Sequence, residues 1–221
     1  ITLWGSSAIL TDMTINGNTA NYGGAMSLDS SHPILNNVII NNNEGTSFGG
    51  GILLYYSNPT LINMTIANNI ANEGGGMYLY SSNPILKNSI LWDNSLESIF
   101  YFGSQDPSTI IIAHSDIQGG EDGIITNDNG EVFWLEWNID VDPLFTHPVN
   151  ADYTLQEGSP CIDSGIADLD GDGVEDITDY YGLSPDMGSF EWIPDTLNIE
   201  DLSRPLEYTL HPAYPNPFNP I

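Results

Sequence analysis

The stretch Asn58-Pro59-Thr60-Leu61-Ile62-Asn63-Met64-Thr65-Ile66-Ala67-Asn68-Asn69, followed by Gly74-Gly75-Gly76-Met77-Tyr78-Leu79-Tyr80, decides the reading because it recurs. His32-Pro33-Ile34-Leu35 through Asn43, and Asn83-Pro84-Ile85-Leu86 through Asn94, keep its order: proline, apolar pair, alternating strand, polar pair. Leu10, Leu35, Leu61 and Leu86 mark the steps, 25, 26 and 25 residues apart. A period of this length is the mark of a solenoid or propeller.

The columns choose between them. Met13, Val38, Met64 and Ser89 fall into one inward column, and Ile15, Ile40, Ile66 and Leu91 into the next. Thr14, Ile39, Thr65 and Ile90 lie between and face outward, the alternation of a strand. A second strand in each repeat reads Met26-Ser27-Leu28, Ile52-Leu53-Leu54 and Met77-Tyr78-Leu79. With no helical period to supply a crossover, such short strands stack coil on coil, which predicts an all-β parallel β-helix. Asn18, Asn43, Asn69 and Asn94 would form a ladder at one turn, and the glycines at 23–24, 49–51 and 74–76 would form the next corner. The extra residue of the second repeat falls between Asn43 and Gly49, where a turn is expected.

Coils are expected over residues 1–120, with the pattern weakening from Ser95 to Phe102 and resuming at Ile112 to Ile117, where Gly120 takes the asparagine position. An irregular cap is expected over 121–192. Its Phe133, Trp134, Trp137 and Phe145 would close the open end of the core. Ile1 to Leu10 aligns with Met77 to Leu86, so the chain is expected to open in mid-coil as a fragment.

Thirty acidic residues against two basic ones, Lys87 and Arg204, give a formal charge of -28. That field disfavours nucleic acid and anionic membrane, and no apolar run is long enough for membrane insertion. The single cysteine, Cys161, excludes an intrachain disulfide and lacks a basic neighbour in sequence that would lower its pKa, so it reads as a small buried residue.

From residue 138 onward the motifs Asn138-Ile139-Asp140-Val141-Asp142-Pro143-Leu144-Phe145, Asp152-Tyr153-Thr154-Leu155, Gly158-Ser159-Pro160-Cys161-Ile162-Asp163-Ser164-Gly165 and Asp186-Met187-Gly188-Ser189-Phe190-Glu191 occur in order. Together with the coils they resemble the choice-of-anchor Q domain of bacterial surface proteins, a right-handed β-helix of the pectin-lyase-like superfamily. The resemblance covers residues 1 to about 192 and implies an exported setting without assigning an activity. After a linker at 193–207, Tyr208-Thr209-Leu210-His211-Pro212-Ala213-Tyr214-Pro215-Asn216-Pro217-Phe218-Asn219-Pro220 resembles the start of the C-terminal sorting domain of type IX secretion. Read alone, those prolines also make an extended linker.

Three constellations could carry function. Asp168, Asp170, Asp172, the Val174 carbonyl, Asp176 and Asp179 stand at positions 1, 3, 5, 7, 9 and 12 of a calcium loop, with Gly173 at position 6. Aspartate at position 12 has less reach than glutamate, neither flank is helical, and the same residues also make an acidic turn. Outward on the second strand, Trp4, Asp29, Tyr55 and Tyr80 would form one row with Tyr78 beside it. Such aromatics could stack on sugar rings, or be buried by a C-terminal segment folding back. Asp93 and Asp116 with His114 are the best pair for glycoside hydrolysis, although their columns differ and ordinary polar surface explains them equally. The scarcity of basic residues argues against a lyase. The expected partner is polysaccharide or a cell-surface glycan, met by a monomer with calcium as a structural ion. An enzyme with active coils upstream and a structural stalk are the alternatives.

Overall fold

In a computed structural model, which describes residues 1–103 and 106–194, the chain winds through about five turns of a parallel β-solenoid. Two sheets run its length and a third spans only three coils. The first stacks Thr2–Trp4, Met26–Asp29, Ile52–Tyr55, Met77–Tyr80 and Ile99–Tyr101. The second begins with Ile9–Asn16 and Ile34–Asn41 and ends at Gly130–Trp134. In between, a corner splits each of its rungs in two, as in Thr60–Ile62 and Thr65–Ala67. The third, absent from the sequence expectation, stacks Thr19–Tyr22, Glu44–Phe48 and Ile70–Glu73.

The expected columns are the observed register. Met13 pairs with Val38 and Ile15 with Ile40, then Ile40 with Ile66, Ile66 with Leu91 and Leu91 with Ile117. These residues join Met26, Leu28, Ile52, Leu54, Met77 and Leu79 in one core along the axis. Burial of this stack is the main stabilising term, roughly 1.5–3 kcal/mol for each large apolar side chain.

Each turn ends at a residue with positive φ, and the residue after it holds the coils together. Asn42 and Asn68, with φ 54 and 55, precede the predicted asparagines. Asn43 Oδ1 accepts the amide of Asn18 at 3.0 Å, Asn69 Oδ1 that of Asn43 at 3.0 Å, and Asn94 Oδ1 that of Asn69 at 3.1 Å. Each asparagine thus satisfies an amide that the bend would strand. A second ladder repeats the device with serine: Ser31, Ser57, Ser82 and Ser108 each accept the amide of the equivalent residue one coil earlier. At the glycine corner there is no room for a side chain. A Cβ on Gly50 would lie 2.5 Å from the Gly75 carbonyl oxygen.

Three expectations change. The extra residue of the second repeat is not in a turn. It is a bulge in Glu44–Phe48, where the register slips against both neighbouring strands. Parallel pairing also continues past residue 120, to Gly130–Trp134 against Ser108–Ala113. Finally, the aromatic group does not act as one plug on the open end. Trp134 packs on the axial core with Val132, whereas Phe133 and Trp137 are exposed. Phe145 belongs to a separate cluster on the outside of the second sheet.

That cluster exists because the segment from 141 to 192 turns back and lies along the second sheet. Phe145, Tyr153, Leu155, Cys161 and Met187 pack on Ile39, Ala67 and Ile90. Ser189 donates to the Val38 and Asn63 carbonyls, and its amide donates to Thr65 Oγ1. The outward column of Ile39, Thr65 and Ile90 is therefore outward and yet buried. No helix among the described residues is long and apolar enough to cross a membrane.

Candidate functional site

The first sheet carries the aromatic face. Its register pairs Trp4 with Asp29, Asp29 with Tyr55 and Tyr55 with Tyr80, the row read from sequence. Phe102 extends it, stacked on Tyr80 at 5.3 Å, and Tyr56 closes edge-on against Tyr55 at 4.6 Å. A hydrogen bond with Tyr56 pushes the Tyr80 phenol up. Trp4 is 83% exposed, and Tyr55, Tyr56 and Phe102 are also open to solvent. The apolar contacts and hydrogen bonds that dock residues 141–192 go to the second sheet, so burial of this row by the C-terminal segment does not occur among the described residues.

Tyr78 is the exception and a correction. Only 4% exposed, it is sandwiched between Phe48 at 4.8 Å and Phe100 at 5.5 Å, with Tyr22 stacked beyond Phe48. It is a buried spacer whose phenol is raised by desolvation first and by Glu73 second. Sequence reasoning missed Tyr22 and Phe48 because they belong to the unpredicted third sheet. It missed Phe100 and Phe102 because their coil is shorter than the 25-residue period. The aromatic run Phe100-Tyr101-Phe102, which pairs in the structure with the strand carrying Tyr78, was the available signal.

Ring stacking also changes what this face offers. Tyr55 and Tyr80 lie 4.7 Å apart at an interplanar angle of 32°, so their faces are partly spent on each other, and the half-buried Tyr80 is further engaged by Phe102 and by the Tyr56 hydroxyl, which leaves the exposed Tyr55 to meet solvent. Trp4, at the end of the row beside Asp29, has no ring neighbour among the described residues and presents its indole face.

The proposed hydrolytic pair does not meet in a groove. Asp116 takes the outward column of Ile90 and is fully buried beneath the returning segment. Its Oδ1 accepts from the Val141 amide at 3.2 Å and its Oδ2 from the Cys161 thiol at 3.3 Å. Burial pushes its pKa up to about 7, with Asp140 and Asp142 adding repulsion. Asp93 sits exposed at a positive-φ corner, its amide on Gln118. His114 has Nδ1 3.3 Å from the Ser164 carbonyl, which places the proton on Nδ1. Its backbone, φ 48, occupies the corner column of Asn37, Asn63 and Asn88, so its place in the coil is structural. Cys161 is a buried, inert thiol whose pKa burial raises.

Comparison with known proteins agrees with this architecture: residues 1–138 match the family described as the right-handed beta helix region. The chain belongs to the right-handed β-helix family. No curated protein and no solved structure matches the chain.

On the flank of this β-helix, the Asp-rich loop forms only part of the predicted set. Oxygens of Asp168, Asp170 and Asp176 lie within 4.8 Å of one another. Asp172 instead accepts the Val174 amide, and Asp179 lines a different cleft. Asp168 accepts the Gly173 amide and, with a smaller effect, the Gly171 amide, which hold its carboxyl below the usual range. Lys87, reaching out from the second sheet, donates to the Leu169 carbonyl and anchors the loop. Between loop and coil lies a cleft of about 670 Å³ lined by Lys87, His114, Trp134, Glu136, Asp168 and Asp170.

Proposed function

We propose that this β-helix is a non-catalytic module of an exported, surface-attached protein, binding glycan or neighbouring cell-surface material through the aromatic face of its first sheet. The observation that carries the reading is the row Trp4, Asp29, Tyr55 and Tyr80, extended by Phe102, in which Trp4, Tyr55 and Phe102 are exposed and Asp29 and Tyr80 half-buried, while the second sheet is covered. An indole face and phenol edges beside a carboxylate suit the C–H faces and hydroxyls of sugars. The charge of -28 favours neutral or cation-bridged polymers over polyanions. The ordered motifs of residues 138–191, with their choice-of-anchor Q resemblance, support the exported setting. The sorting-domain resemblance at 208–220 lies outside the described residues. As part of this reading, calcium held by Asp168, Asp170 and Asp176 would stiffen the loop against the coil, a structural role.

Size-exclusion chromatography with light scattering, on neutral and acidic polysaccharides incubated with the protein, tests the reading. Intact polymer should co-elute with protein, and the double substitution Trp4→Ala, Tyr55→Ala should weaken binding about tenfold, as the loss of one or two aromatic contacts would. Shortened polymer would replace the binding reading with an enzymatic one. Absence of any co-elution would leave a structural stalk.

A further inference from the structure

One rung of the aromatic row differs from the rest. From Tyr55 onward each coil carries a ring that stacks on the next, Tyr55 on Tyr80 at 4.7 Å and Tyr80 on Phe102 at 5.3 Å, so no ligand ring can enter between them. The rung before carries Asp29 instead, in register between Trp4 and Tyr55. Two rungs of a parallel sheet span roughly 9.6 Å, and a flat ring touching a wall on either side needs about 3.5–4 Å on each. The interval between Trp4 and Tyr55 therefore admits one ring, which the intervals from Tyr55 to Phe102 do not.

The neighbouring corner leaves this interval open. Gly5, Ser30 and Tyr56 follow the three row residues at positive φ, so the corner is small beside Trp4 and Asp29 and filled only beside Tyr55. A Cβ on Gly5 would meet nothing within 4 Å. At the floor, Asp29 Oδ1 accepts the Ser30 hydroxyl at 2.8 Å. The lining selects by charge. Aromatic faces are the negative side of the ring quadrupole, an ionised carboxylate only accepts hydrogen bonds, and a cation over an aromatic face is attracted to it. Of the chain's two lysine and arginine residues, Lys87 is held at Leu169 beside the second sheet and Arg204 lies outside the described residues.

We infer that the interval between Trp4 and Tyr55 takes a single amino-sugar ring with a free amine, its ammonium donating to Asp29 and its C–H faces lying against the two aromatic walls. The inference rests on the glycan-binding reading of this face and narrows it to polymers that carry unacetylated hexosamine. An acetylated amine has no charge to offer Asp29, and a uronate adds a second carboxylate to the first, so both lose the charge-assisted bond that the free amine makes.

Calorimetric titration of the full chain with a glucosamine trimer and with its N-acetylated counterpart, at pH 5.5 and low salt, provides the test. Wild type should prefer the free amine at least about tenfold, the worth of one charge-assisted hydrogen bond, and at pH 9, where the amine is neutral, the preference should vanish. Asp29→Asn keeps the shape of the floor and an oxygen for Ser30, so it should fold, and it should bring the two trimers level. Glu157→Gln removes an equal charge from the exposed surface of the returning segment and should keep the preference, which separates a local contact from the field of a chain with charge -28. Trp4→Ala should weaken both trimers. The inference fails if wild type binds the two trimers equally, if the preference survives Asp29→Asn, or if Glu157→Gln abolishes it as well. In each of those cases a loss of affinity in Trp4→Ala would leave the glycan-binding reading standing. Binding of neither trimer sinks the inference, and the reading beneath it falls too if no polysaccharide co-elutes with the protein.

Discussion

The coils and the segment that returns over them are held by opposite means. In the coils one contact is made again and again: an oxygen on the residue after each corner takes the amide of its equivalent one coil earlier, at sequence separations of 25 or 26. The returning segment has contacts that occur once. Tyr153 meets Asn68 across 85 residues, Ser189 meets Val38 across 151, and Cys161 meets Asp116 across 45. A periodic device spreads its load over neighbours, whereas a singular one stands or falls with its own residue. The two regions should therefore respond differently to the loss of a single group.

The largest effect is expected inside the ladder. Asn69 accepts the Asn43 amide, donates to the Ile40 carbonyl and bonds Asn94, all in the interior. Asn69→Ala strands several of these partners at once, at roughly 1–3 kcal/mol for each buried group left unpaired. Urea denaturation should show a loss of about 3 kcal/mol or more with the m-value nearly kept. A loss below about 1 kcal/mol would mean that adjacent coils close over the gap and that the ladder is decoration.

An intermediate effect separates the returning segment from the coils by pH. Asp116 in the folded state has its pKa raised to about 7 by burial, and Asp186 and Glu191 are raised in the same direction, again mainly by burial. The folded state therefore holds protons that the unfolded chain has already released. The stability these groups contribute is complete below the unfolded carboxyl pKa near 4 and is lost as pH rises through about 7. Asp152 and Asp168 are lowered and work the other way, but both are only half-buried, with carboxyls near the surface where solvent screens them. Amide exchange over residues 139–165 should be slower at pH 5 than at pH 8 after correction for intrinsic rates, and Asp116→Asn should flatten the difference. The expected magnitude is on the order of 1–3 kcal/mol, since each tenfold change in proton affinity between folded and unfolded chain is worth about 1.4 kcal/mol. Equal protection at both pH values in the wild type would detach Asp116 from the docking of the segment.

What could be read from the sequence follows the same division. Ile15, Ile40, Ile66 and Leu91 announce their column because four coils state it, and the asparagine ladder is visible for the same reason. The third sheet escaped because its strands, such as Thr19-Ala20-Asn21-Tyr22 and Ile70-Ala71-Asn72-Glu73, alternate weakly and the middle one carries a bulge. Of the candidate site, the row Trp4, Asp29, Tyr55 and Tyr80 was legible because register follows from period. The burial of Tyr78 was not, since it depends on Phe48 arriving from that third sheet. Asp116 and Asp93 could be placed on coils but not judged, because whether an outward residue meets water depends on where residues 141–192 lie. No period reports that path. The motifs of that segment prove to be its fastenings: Cys161 and Met187 fill the outer cluster, and Asp186 receives the Asp163 and Trp192 amides.

The smallest effect expected is also the one of opposite sign. Asn41 is as deeply buried as Asn69, yet neither its Oδ1 nor its Nδ2 has a hydrogen-bond partner. It stands at the end of Ile34–Asn41, in register with Ala67 of the next coil, on the outer side that the returning segment covers. Its neighbour in the preceding coil, Asn16, is exposed, so the same residue type meets water in one coil and is sealed from it in the next. An amide in that position has lost its hydration without gaining a bond, and a β-branched apolar side chain of similar reach loses nothing there and favours the strand. Asn41→Val should therefore stabilise the protein by about 1 kcal/mol, seen as a rise in the urea midpoint. Asn69→Val, the same substitution at the ladder position of the next coil, should do the reverse. Should both variants lose stability alike, burial of the asparagine rather than its pairing would be what the coils require, and the distinction between ladder and sealed strand end would collapse.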